Sequence, residues 1–443
     1  MPTHKLALSI ALVLVPSLVT AQSPARVSTT VFTNVSVVPM DSARILTNQT
    51  VVVRGDRIVS VGPAARASVP AGARRIDGRG KFLMPGLAEM HGHVPPPNAA
   101  PAQVANTMFL YVAGGVTTVR GMLGAPGQLE LRDRVARGEL LGPTLYLAGP
   151  SFNGNSVNSP ADAERMVREQ KAAGWDLLKV HPGLTREEYD AMARTAKSVG
   201  IRFGGHVPTD VGLLHAITAG QETFDHLDGY IELLNGEAGP LDSAALADVV
   251  RRTREAGAWV VPTSVLWETL VGVTSLETLR ALPELRYMPR NVVQQWVTAH
   301  ENRLRSPNYD AAAARRIAAN RVALLRALHQ GGVRVLMGTD APQQFSVPGF
   351  SIYRELHKMA ESEMTPYEIL ATGTRNVGEY FKSSDKFGLV AGGHRADLLL
   401  LDANPLRDLG ALQRRSGVMV RGRWLPESEI TAELNRIAAM QSQ

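Results

Sequence analysis

Between residues 83 and 340, eight short apolar runs alternate with segments of helical spacing, and few folds satisfy that alternation. The runs are LMPGLAEMHGH (83–93), TTVRGM (117–122), TLYLAG (144–149), DLLKV (176–180), RFGGHV (202–207), ETFDHL (222–227), WVVPTS (259–264) and VRVLMGTD (333–340). Their near-continuous apolar character is that of strands covered on both faces. Helical spacing fills 160–173, 186–199 and 243–256, and Gly174, Gly200, Gly220 and Gly257 stand where helices should stop. Eight strand–helix units predict an α/β protein whose centre, residues 83–385, is a (β/α)8 TIM-like barrel. One connection, 265–332, is far longer than the rest and carries helical runs at 291–304 and 311–329. An insertion of that size either shapes a substrate pocket or adds a helical layer.

The flanks are β-rich. Residues 29–76 alternate β-branched runs with turns, and Arg54-Gly55-Asp56-Arg57 sits between two of them as a hairpin turn. After helical segments at 350–361 and 366–371, FGLVAGGHRADLLLLDANPL and GVMVRGRWL return to a β pattern. Both ends, 22–82 and 386–443, are therefore expected to build one small β-sandwich domain. Residues 1–21 have the form of a signal peptide: His4 and Lys5, an apolar run over 6–19, then Val19-Thr20-Ala21 at the cleavage position. The apolar run is too short for a permanent membrane span, so a secreted or periplasmic protein is expected. The chain has no cysteine, which removes disulfides and thiolate ligands. A net charge of +6 without a concentrated Lys/Arg tract argues against a nucleic-acid partner.

Enzymes on this fold keep their chemistry at the C-terminal ends of the strands. The first strand ends in His91 and His93, which share a face because strand side chains alternate with a period of two. The fourth carries Lys179, the fifth His206, the sixth His226, and the eighth ends in Asp340. The other histidines of the mature chain, His181 apart, fall on predicted helices or in the outer β domain. Imidazoles and a carboxylate converging on one end suit divalent cations. Lys179 on a barrel strand is either paired with Asp340 or, as a desolvated neutral amine, able to take up CO2 as a carbamate with two donor oxygens. His181 shares the Lys179 face and is a candidate for substrate binding. So are Tyr230, four residues past His226, and Arg120, at the end of the second strand. Arg120 either grips a substrate carboxylate or closes an internal ion pair.

The motifs MPGLAEMHGH, DLLKVHPGLTREEYDAMARTAKSVGIRFGGHVP, QETFDHL, MGTDAP and GHRADLLLLDANPL cover nearly all of the mature chain. In that order they resemble the metal-dependent amidohydrolase superfamily, in its two-metal subset, within the imidazolonepropionase-like and Xaa-Pro-dipeptidase-like group. The resemblance implies two divalent ions, and ligation by His and carboxylate without Cys suits zinc and equally manganese, cobalt or nickel. His91, His93 and Asp340 would hold one, His206 and His226 the other, and a carbamylated Lys179 would bridge them. It further implies a small-molecule substrate whose amide bond is attacked by a metal-bridging hydroxide, with Asp340 as proton shuttle. A dipeptide or an N-acyl amino acid is the expected substrate, and a homo-oligomer is compatible with the family. His181 departs from the tyrosine that many relatives carry after the bridging lysine. A lactonase or esterase could use the same centre. A mononuclear deaminase fits less well, because Val207-Pro208-Thr209 follow His206 and Lys179 would then have no task. A non-catalytic scaffold should have lost ligands, and all six positions are present.

Overall fold

Residues rich in Val, Thr and Leu at both chain ends form strands that pair with each other. The computed structural model describes residues 28–96 and 98–441; the expected signal peptide lies outside the described residues. Strands Thr29–Val37, Leu46–Arg54, Arg57–Pro63, Arg74–Asp77 and Phe82–Pro85 join Leu398–Leu401, Arg415–Val420 and Arg423–Pro426 in one eight-stranded sheet. The hairpin turn falls at Gly55-Asp56 as expected, with Gly55 left-handed (φ 59°) and Arg54 paired to Arg57. The seam between the chain ends is Leu400 opposite Leu83, in an antiparallel ladder. Phe32 and Trp424, from the N-terminal and C-terminal parts, meet edge to face at 5.3 Å over a core that includes Val35, Val53 and Leu398. Phe82–Pro85 is followed after Gly86 by Leu87–Gly92, so this sheet anchors the strand that carries His91.

Each of the eight predicted runs contains a strand: Leu87–Gly92, Val116–Gly121, Thr144–Leu147, Leu177–Val180, Arg202–Gly205, Thr223–Asp225, Trp259–Val261 and Arg334–Val335. All pair in parallel, the first three in one sheet and the remaining five in another. Backbone bonds link the two sheets on either side: Gly149 N to Leu177 O (3.1 Å), and Met90 N to Met337 O (2.8 Å). Parallel sheets linked in this way fit a TIM-barrel-like arrangement. The eighth strand is only two residues long, and Met337 to Asp340 follow it without ladder pairing. Gly338 permits that path, since a Cβ there would stand 2.9 Å from the His91 amide nitrogen and 2.6 Å from Val261.

Helix ends follow local chemistry. Pro160–Ala173 starts on Ser159, whose hydroxyl accepts from Asp162 N, and Arg186–Val199 starts on a Thr185/Glu188 capping box. Gly174 and Gly200 stop them in left-handed conformations. The insertion is helical as expected, with Arg290–Leu304 and Ala311–Gln330 its longest members. The helix Glu427–Gln441 was not anticipated; it buries Ile430, Leu434 and Ile437 along one stripe. The spacing was visible, but the β pattern just before it drew the whole C-terminal region into the β reading.

Candidate metal centre

Four strand ends and one loop bring the predicted ligands together. The ring centroids of His91 and His226 are 4.4 Å apart, and those of His206 and His226 are 4.6 Å apart. Asp340 stands among them, with Oδ1 2.5 Å from His93 Nε2 and 3.7 Å from His91 Nε2, and Oδ2 3.7 Å from His226 Nε2. One donor atom each from His91, His93 and Asp340 falls within 4.8 Å of the others. Lys179 Nζ lies 3.1 Å from His91 Nε2 and is fully buried. Its neighbour at this distance is an imidazole, and not the Asp340 carboxylate of the ion-pair alternative. Burial lowers the Lys179 pKa to about 8, with Asp225 and Asp340 working against the fall.

The ring nitrogens are divided between outer partners and the centre. His91 Nδ1 faces Asp225 Oδ2 at 2.8 Å, His206 Nδ1 faces Asp228 Oδ2 at 2.6 Å, and His226 Nδ1 meets Thr263 Oγ1 at 2.8 Å. The hydrogen bonds at His206 and His226 hold those rings with Nε2 toward the interior, as ligating histidines are commonly held, while His91 Nδ1 faces the Asp225 carboxylate. Burial, followed by the charges of Lys179 and the neighbouring rings, pushes the His91 pKa well below the usual imidazole value; His226 is lowered in the same way. Both rings are therefore neutral, the form that ligates. His226 Nε2 is buried and has no hydrogen-bond partner, a cost that a cation would remove. The donor set and this orphaned nitrogen together fit divalent-cation binding.

Left-handed backbone clusters here. His226 (φ 64°), Leu227 (φ 56°), Thr263 (φ 44°) and Asp340 (φ 61°) all adopt it without being glycine. Such strain persists where the surroundings impose it, and functional sites are a common place for it. At His226 it has a direct consequence. Strand alternation would send adjacent Asp225 and His226 to opposite faces, yet both serve the same centre.

Two substrate candidates are placed elsewhere. Arg120 has no exposure: Nη2 reaches both Asp225 oxygens at 3.1 Å, Nη1 donates to Thr223 Oγ1 (3.0 Å) and Nε to Met90 O (2.5 Å). It is the internal ion pair, and a substrate carboxylate has no access to it. Burial alone would raise the Asp225 pKa, but Arg120, Lys179 and His226 hold it below the usual carboxylate value. Tyr230 is fully buried against Phe224, with its hydroxyl 2.9 Å from Thr253 Oγ1, so it packs the wall behind the site. Tyr230→Phe should cost about 1 kcal/mol in denaturant unfolding and leave KM unchanged; a severalfold rise in KM would return Tyr230 to the substrate. His181 is half-buried and stacks on His206 at 4.8 Å, so it stays beside the centre.

Asp225, Asp228, Thr263 and Glu89 were missed. Glu89 accepts from His91 N, from Thr339 N (2.8 Å) and from Thr339 Oγ1 (2.6 Å), tying the first strand to the segment that carries Asp340. Burial raises its pKa to about 8. Its signal was available, because Glu89 is in phase with His91 and His93. Asp228 and Thr263 lie on loops, where spacing predicts no direction.

Parallel strands with imidazole, amine and carboxylate groups gathered at one end define an α/β protein built around a candidate metal centre. The amidohydrolase family model matches residues 82–425, and the chain belongs to that family. Adenine deaminase 3 of Rhizobium meliloti (strain 1021) is 22% identical over 408 residues, spanning 88% of this chain and 56% of the relative. The chain thus spans about half the length of the first adenine deaminase it matches. Imidazolonepropionase of Rubrobacter xylanophilus is 26% identical over 390 residues, spanning 80% of this chain and 84% of the relative. Among solved structures, a Xaa-Pro dipeptidase with bound methionine in the active site superposes with a TM-score of 0.68 at 21% identity, covering 90% of this chain and all of that one. At that identity the likeness concerns the fold.

Proposed function

We propose that this chain is an exported, metal-dependent hydrolase that cleaves an amide C–N bond, with a dipeptide or N-acyl amino acid as substrate. The observation that carries the reading is the convergence of His91, His93, His206, His226, Lys179 and Asp340 around a buried, unpartnered His226 Nε2. His91, His93 and Asp340 would hold one ion, His206 and His226 the second, with Lys179 as a carbamate between them. The donor set suits zinc and equally manganese, cobalt or nickel, since ligand type alone does not select among them, and zinc is the ion we propose first. Two divalent cations would supply an acidified water and a polarised carbonyl. The chain's own residues do the rest. Asp340, reaching both halves of the cluster, takes the proton of the attacking water and passes it to the leaving amine. Asp225, Asp228 and Thr263 keep the rings aimed inward, and His181 borders the second half through its stack on His206.

In this reading the two parallel sheets are one closed (β/α)8 barrel over 83–385, and the eight-stranded sheet built from both chain ends is its companion domain. Export rests on the leader-like residues 1–21. The adenine deaminase relatives favour a second reading, hydrolytic deamination of a heterocycle. Turnover of dipeptides, N-acyl amino acids, lactones and adenine by metal-loaded protein separates the readings. Amide cleavage at least a hundredfold above the other classes is expected, and turnover of adenine or lactones alone would overturn the proposal.

A further inference from the structure

Beside His93 opens a cavity of about 470 Å3, well within the size range of small-ligand pockets. One wall comes from the loop after the first strand and the helix Pro101–Ala113, including Leu110, and another from Leu123 after the second strand. The far wall is Tyr287, Met288 and Pro289 from the long insertion, so this insertion forms part of the cavity. Among the described residues, no Lys, Arg, Asp or Glu lines it.

Several of the polar side chains in the wall are already spent on the protein. Gln128 donates to Val94 O (2.9 Å) and accepts from Ala125 N (3.1 Å). Asn106 Oδ1 accepts from Arg436 (2.9 Å), and the Tyr287 hydroxyl accepts from Arg286 (2.6 Å). What the walls offer a ligand is therefore mostly apolar surface, running up to a candidate metal ligand. With Arg120 closed inside its ion pair, the cavity has no cation with which to hold a carboxylate.

We infer that this cavity binds a bulky uncharged apolar group of the substrate, an aromatic ring or a medium-length hydrocarbon chain attached directly to the scissile amide. The inference rests on the hydrolase reading and narrows its substrate class. Specificity would come from the area such a group removes from water, with the charged end of the substrate left outside.

Two substrate series test it with metal-loaded protein: N-acyl glycines from acetyl to decanoyl, and N-acetyl amino acids from glycine through leucine to phenylalanine. In the series whose variable group enters the cavity, kcat/KM should rise about fourfold per added methylene until the cavity is full. Leu123 is 44% exposed, so Leu123→Trp should fold, and by filling the cavity it should cut the long-to-short kcat/KM ratio at least tenfold. Rates independent of size in both series, or a ratio untouched by L123W, would overturn the inference while leaving the hydrolase reading in place. If no member is turned over, calorimetric titration of the same compounds decides the cavity, and the hydrolase reading is decided separately by the wider substrate panel. Affinity rising with apolar size and lost in L123W supports it, and size-independent or absent binding overturns it.

Discussion

Asp340→Asn is expected to lower kcat by about two to four orders of magnitude, the range ascribed to a positioned acid–base group, while metal content stays close to that of the parent. The carboxylate reaches His93 at 2.5 Å and both His91 and His226 at 3.7 Å, so it lies against both halves of the cluster. Asparagine keeps the shape and one acceptor oxygen but cannot carry a proton between water and leaving group. KM should change much less than kcat, because the lost interaction belongs to the transition state. Steady-state kinetics paired with metal analysis checks both halves. Full turnover in the variant would remove Asp340 from the proton path, and loss of metal alongside activity would make it chiefly a ligand.

Arg120→Met should instead cost stability, about 3–5 kcal/mol, because it leaves Asp225 charged, buried and without its guanidinium partner. Thr223 Oγ1 and Met90 O lose donors at the same time. Denaturant unfolding measures the loss. Any fall in kcat/KM should be the same for substrates with and without a free carboxylate, since the guanidinium never meets them. The double variant Arg120→Met/Asp225→Asn separates fold from function. Neutralising Asp225 should recover much of the stability, yet it weakens the acceptor facing His91 Nδ1, so metal affinity should remain reduced by about 10–100-fold. A variant that unfolds normally but loses only carboxylate-bearing substrates would restore the substrate role of Arg120.

These two residues also mark how far the sequence could be read. Asp340 was legible because it closes a predicted strand, and strand ends are where side chains of this fold converge. The same logic points to His91, His93, Lys179, His206 and His226, which the structure brings near one another. Helices with explicit signals, such as the Thr185/Glu188 box, fell where expected. Arg120 was not legible. It sits on a strand with its side chain inward, but whether an inward arginine meets a substrate or another strand depends on which carboxylate the neighbouring strands supply. That carboxylate, Asp225, was hidden because the left-handed turn at His226 breaks the alternation from which its direction would be inferred. Tyr230 failed for a related reason: the chain turns at Gly229 into a short helix, and its ring goes into the wall instead of the mouth. Positions on regular elements were readable, and directions set by tertiary partners or by turns were not.

Metal content tests the central claim most directly. Protein purified without chelator and analysed by inductively coupled plasma mass spectrometry should hold about two equivalents of divalent cation per chain. Chelation should remove activity, and re-addition of zinc, manganese, cobalt or nickel should restore it. The same preparation of Lys179→Met should retain no more than one equivalent, since the carbamate proposed to join the two ions cannot form. A parent chain that carries no cation, or only one, and is fully active in chelator would contradict a two-metal centre built on His91, His93, Lys179, His206, His226 and Asp340.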